Sequence, residues 1–171
     1  MKNRKFIFLG VLVAFGCGLF VLEAQLPPIA AVPGIKPGLA NLITLLAISW
    51  YGSKDAALCL GCRILLTSLF VGQGVYFLYS LAGGIVCFLV LLLFKKAPLW
   101  ARSAFAAIGH NVGQLLVAVV LVGNISVLWL LLYLMIGAII SGSIIGVAAT
   151  ICIRRLSRFV KGEVSCRNLA D

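Results

Sequence analysis

Acidic side chains are nearly absent. Glu23, Asp55, Glu163 and Asp171 are the only four in 171 residues, and no two are neighbours. Magnesium prefers several hard oxygen ligands, so this chain has no acidic cluster to hold that ion, and we expect neither a metal site nor a cofactor. A Walker A sequence is also missing, which excludes a phosphate-cradling loop of that type. Histidine occurs once, at position 110. Charged residues make up 11% of the chain, against about a quarter in a soluble domain. Nothing in this inventory supports an enzyme.

Apolar residues fill the space left by the missing charges. They account for 63% of the chain, and the mean hydropathy is +1.20. No soluble core of this length could bury so much apolar surface, so the expected solvent is lipid. The net charge of +10 does not point to nucleic acid. Basic residues flanking apolar spans set membrane orientation, and no soluble basic domain exists to bind a polyanion. Of six cysteines, five (Cys17, Cys59, Cys62, Cys87 and Cys152) lie inside apolar runs. Cys59 and Cys62 have redox-motif spacing without the surrounding βαβ pattern. They read as small packing residues, and no disulfide is expected.

A helix needs about 20 apolar residues to cross the hydrocarbon core. By that measure the sequence predicts an all-α, polytopic bundle of six transmembrane helices. They run approximately over Phe6–Ala24, Gly38–Tyr51, Ala56–Val71, Tyr76–Phe94, Ala101–Val122 and Val127–Ile153. The basic, apolar N-terminus reads as an uncleaved first helix, because its apolar run exceeds a signal-peptide core and more spans follow. Between helices 1 and 2 lies QLPPIAAVPGIKPG, too rich in proline for a helix and too apolar for an ordinary solvated loop. Such backbone is tolerated at membrane depth only against protein or a cavity. The second helix is short, so this loop is expected to complete the crossing.

Six spans put both termini on one side. Lys2, Arg4, Lys5, Lys54, Lys95, Lys96, Arg102, Arg154, Arg155, Arg158, Lys161 and Arg167 then share one face, which the positive-inside rule makes cytoplasmic. The chain is expected to be a single membrane domain of the plasma membrane with a basic cytoplasmic tail after residue 153. Only Lys36 and Arg63 fall elsewhere.

Several polar residues are misplaced for lipid. Arg63 lies about 13 Å along helix 3, where an arginine costs about 2.5–3.5 kcal/mol on insertion scales. It needs a buried partner: Glu23, a helix end or an anionic ligand. In SAFAAIGHNVGQLLVA (Ser103–Ala118), His110 and Gln114 share a face one turn apart, with Asn111 to the side. Gly109 and Gly113 permit a close neighbour. These polar groups are either glue between helices or the lining of a cavity. Three in one helix, level with Arg63, favour the cavity. Glu23, Lys36, Asn41 and Gln73 fall near the outer face. Together the pattern describes a chamber open to the outside, with a floor at mid-membrane and the proline loop as lid or wall. Two small-residue stripes remain: Gly10, Ala14 and Gly18 on helix 1, and Gly142 and Gly146 on helix 6. Each fits either internal packing or docking of another subunit.

PGIKPGLANLITLL (Pro33–Leu46), RILL at Arg63, SLAGG (Ser80–Gly84) and GHNVGQL (Gly109–Leu115) together resemble one family. It is the Gx transporter or heptaprenyl diphosphate synthase component I family, itself similar to the substrate-binding S components of energy-coupling factor transporters. Pro37 departs from its pattern, where an apolar residue such as Leu is expected. The resemblance spans about Phe6–Ile153. It implies a membrane subunit that takes a small molecule from outside and associates with a transmembrane T subunit and two ATPase subunits. It implies further that Gly10, Ala14 and Gly18 contact the T subunit, and that Glu23, Lys36, Asn41, Arg63, His110, Asn111 and Gln114 line the substrate site. The family's other name implies an alternative, a membrane accessory subunit for polyprenyl diphosphate or quinone synthesis. Lacking clustered aspartates, the chain alone is not that catalyst.

Overall fold

A computed structural model describes residues 2–25, 38–71 and 74–160. Most of the proline-rich loop, including Lys36 and Pro37, lies outside the described residues, as do Gln73 and the tail beyond Val160. The expected lid and the expected ligand Lys36 both fall in that loop.

The described chain is a bundle of six α-helices without strands: α1 (Lys2–Gln25), α2 (Ala40–Trp50), α3 (Ser53–Val71), α4 (Gly74–Leu93), α5 (Leu99–Val122) and α6 (Leu130–Val160). A short 3-10 helix, Ile125–Trp129, leads into α6. Three segments are long and apolar enough to cross a membrane: Lys5–Glu23, Leu99–Val122 and Ile125–Leu156. At 11 residues, α2 rises only about 16 Å. Large apolar side chains cover the outside, among them Leu69, Phe70, Val120 and Ile136. This is the surface of a protein dissolved in lipid, where apolar groups outside cost nothing.

The helices close a ring in the order α1–α2–α6–α5–α4–α3, with α3 returning to α1 and α2 also touching α3. At the end of the ring that holds the N-terminus, the centre is solid. Leu9 and Val13 of α1, Ile43–Ile48 of α2, Ala56 and Cys59 of α3, and Cys87 and Leu91 of α4 meet Ala106, Ala149 and Ile153 there. Among the described residues Cys59 and Cys87 are buried in this core, and Cys17, Cys62 and Cys152 pack against it. At the same end Lys5 pairs with Asp55 at 2.8 Å. Arg102, which the sequence offers only as a marker of orientation, is buried there and donates from Nε to the Leu91 carbonyl at 2.9 Å. A cation on the last carbonyls of α4 satisfies an orphan acceptor and opposes the negative end of the helix.

Glycines bring α4, α5 and α6 into backbone contact. A Cβ on Gly113 would lie 2.6 Å from the Ala82 carbonyl oxygen, and one on Gly146 would lie 2.5 Å from Trp100 Cα. The helix 6 stripe is therefore internal packing. Gly10 and Gly18 have no neighbour within 4 Å of such a Cβ, and Ala14 between them is exposed. The helix 1 stripe faces outward.

Most helix ends lie within a few residues of expectation, and α6 differs at both of its ends. Asn124 accepts a hydrogen bond from the Ser126 N–H at 2.9 Å and starts the 3-10 turn, so α6 begins at Leu130 rather than Val127. Its far end continues through Arg154 and Arg155 to Val160, because a basic helix in water needs no apolar stripe to persist.

The glycine contacts make a direct prediction. Gly113→Leu should destabilise the bundle by about 1–3 kcal/mol or more through overpacking, read as earlier thermal unfolding in detergent. Gly10→Leu should leave the transition in place.

Candidate binding chamber

The other end of the ring is hollow. A chamber of about 510 Å³ lies between the helices, and all six contribute to its wall. Glu23, Asn41, Arg63, His110, Asn111 and Gln114 all line it. These side chains come from α1, α2, α3 and α5, and every candidate ligand within the described residues is among them.

Arg63 reaches the chamber because it belongs to the buried stripe of α3. Ala56, Cys59, Leu60, Arg63, Ile64 and Thr67 recur at helical spacing and are all buried. Gly16 of α1 makes room for the arginine stem; a Cβ there would lie 3.3 Å from Arg63 Cδ. The guanidinium donates from Nη1 to the Ala40 carbonyl, in the first turn of α2. Of the three partners open to it, the structure supplies a backbone carbonyl and, within electrostatic range, Glu23.

Glu23 serves the same helix from the other side. Its Oε1 accepts from the Gly38 N–H and, at 3.2 Å, from the Leu39 N–H. No side chain of α2 caps its own N-terminus. A carboxylate from α1 takes that role, satisfying orphan donors at the positive end of the helix dipole. Glu23 is also within electrostatic range of Arg63.

The three polar residues of α5 divide their work. Asn111 donates from Nδ2 to the Leu134 carbonyl of α6 at 3.0 Å; it is interhelical glue. His110 is different. Its ring packs on the Gly83 backbone, where a Cβ would come within 2.8 Å of Nδ1. Nδ1 is thereby buried against α4, with the Gly83 backbone as its neighbour, and the ring as a whole borders the chamber. Gln114 borders the same glycine with its Cγ, 3.0 Å from the Cβ position.

Thr67, Tyr79 and Ser80 also line the chamber and escape the sequence reading. Thr67 bonds back to the Arg63 carbonyl at 2.8 Å, as hydroxyls within helices commonly do. The signal for it is its position one turn beyond Arg63. Ser80 opens the SLAGG segment that seats His110. The opposite wall is apolar, built from Leu115 and Ala118 of α5 and Leu130, Leu134 and Ala138 of α6. Among the described residues, no three His, Cys, Asp or Glu side chains gather closely enough to hold a metal ion.

A family model described as heptaprenyl diphosphate synthase component I matches residues 12–152. No curated protein and no solved structure gives a significant match.

The cap on α2 yields a stability test. Glu23→Ala should cost about 0.5–2 kcal/mol, the usual worth of a lost N-cap. Glu23→Gln retains an acceptor oxygen and should recover most of it, as measured by thermal unfolding in detergent.

Proposed function

The chain belongs to the heptaprenyl diphosphate synthase component I family, and we propose that it is the substrate-binding membrane subunit of an energy-coupling factor type transporter. The observation that carries this reading is the chamber. Polar side chains far apart in sequence converge on one void of about 510 Å³, within the range of small-molecule sites. Scaffolding alone would need no void.

In this reading the chamber opens to the exterior and both termini lie in the cytoplasm of a cell bounded by the plasma membrane, with basic residues on the inner face. The solid half of the ring, from Leu9 to Ile153, blocks passage to the inside. A loaded subunit of this shape releases its cargo only by reorienting or repacking, and work of that kind has to come from partners. A T subunit and two ATPase subunits would supply it. The outward stripe Gly10, Ala14 and Gly18 suits close approach of a partner helix, and its glycines are not spent on internal packing.

The family description favours a second reading, an accessory membrane subunit of polyprenyl diphosphate synthesis, with the catalytic carboxylates on a soluble partner.

Affinity purification from native membranes separates the two. We expect T and ATPase subunits to co-purify, and a soluble prenyltransferase in their place would favour the second reading. The helix 1 stripe supplies a companion variant: Ala14→Leu should abolish that association by steric clash while the protein still inserts. Arg63→Ala and His110→Ala should abolish retention of co-purifying small molecules, followed by mass spectrometry of the extracted protein; normal retention in both would remove the site.

A further inference from the structure

The charge balance of the chamber narrows what it accepts, an inference that rests on its being a substrate site. Arg63 is 7% exposed, and its hydrogen bond goes to a neutral acceptor, the Ala40 carbonyl. The carboxylate of Glu23 is engaged by the N–H groups at the start of α2. A guanidinium has five donors in a fixed fork, so donors remain beyond the bond to Ala40. Burying a cation is expensive, and a carboxylate on the ligand would offset that cost through paired N–H bonds. Beside it, His110 and the amide-bearing Gln114 line the same chamber and offer further hydrogen bonds to the same head.

The charge count sets the head, and the walls set the body. Among the described chamber residues Arg63 is the one fixed cation. Glu23 shares the lining but is turned to the N–H groups at the start of α2, so the guanidinium has donors for one further carboxylate; a diphosphate brings several negative charges and commonly a divalent ion, which one cation beside a carboxylate does not offset. Facing the polar side, Leu115, Ala118, Leu130, Leu134 and Ala138 present an apolar surface suited to a hydrocarbon or aromatic body. The volume of about 510 Å³ falls in the range of small-molecule sites.

We propose that the chamber binds a compact monocarboxylate, its head on Arg63, His110 and Gln114 and its apolar body against α5 and α6. The acid arrives from water or as a short fatty acid from the bilayer; both present the same head.

The test uses the full chain in nanodiscs and a matched set of probes: 4-phenylbutanoate, its methyl ester, 4-phenylbutanol and 4-phenylbutyl diphosphate, each titrated by calorimetry. The acid is expected to bind at least tenfold more tightly than the other three. Arg63→Gln should erase that preference while leaving the weak binding of the alcohol unchanged. Ala118→Trp, which fills the chamber without touching the charge, should abolish binding of acid and alcohol alike. Should Arg63→Gln fail to fold, the preference of the unaltered protein for acid over ester decides the matter. Equal or tighter binding of the ester or the diphosphate overturns the proposal, as does the absence of saturable binding by every probe. Decanoate and 4-phenylbutanoate in competition identify the source: stronger displacement by decanoate points to the bilayer, and stronger displacement by phenylbutanoate to water, and either supports the carboxylate head. Failure here is separable from failure of the transporter reading, because a chamber that binds acids while no T or ATPase subunit co-purifies leaves the ligand class standing and removes only the transport role.

Discussion

The start of α2 is held between two opposite charges. Glu23 accepts its first N–H groups, and Arg63 donates to the carbonyl of Ala40 just beyond them. Hydrocarbon offers no water to satisfy orphan N–H groups, so a helix that begins inside the bundle needs the Glu23 carboxylate, and the bond from Arg63 ties α3 to the same turn. At 11 residues, α2 is too short to place its own ends in water. The remainder of the hollow half is arranged around this anchored helix.

From that constraint follows the division of the ring into a solid half and a hollow one. In the solid half, apolar stripes of all six helices interlock, with Cys59 and Cys87 buried among them. In the hollow half the helix faces carry polar groups that would be costly against one another unless fully paired. Asn111 is paired with Leu134, and Thr67 with its own helix.

Rigidity comes from glycine. Gly113 and Gly146 let α5 touch its two neighbours backbone to backbone, and dispersion contacts at that range accumulate where lipid provides no hydrophobic drive. Gly16 and Gly83 act differently: they yield the volume that the Arg63 stem and the His110 ring occupy. The same residue type therefore packs helices in one place and seats functional side chains in another. The outward glycines of α1 do neither.

The sequence by itself determined the solvent, the helix count and which helices carry polar groups too costly for lipid. Hydropathy and the cost of burying polar groups act locally, and each is readable one helix at a time. Only the tertiary structure decided what each polar group does. Asn111 as glue, Glu23 as a cap in trans, Arg102 on the end of α4 and the inward stripe of Gly142 and Gly146 all depend on which helix lies opposite. That pairing is set by the order of the ring, which no single-helix pattern encodes, because a hydrogen-bonding side chain on a helix face looks the same whether a carbonyl or a cavity stands across from it.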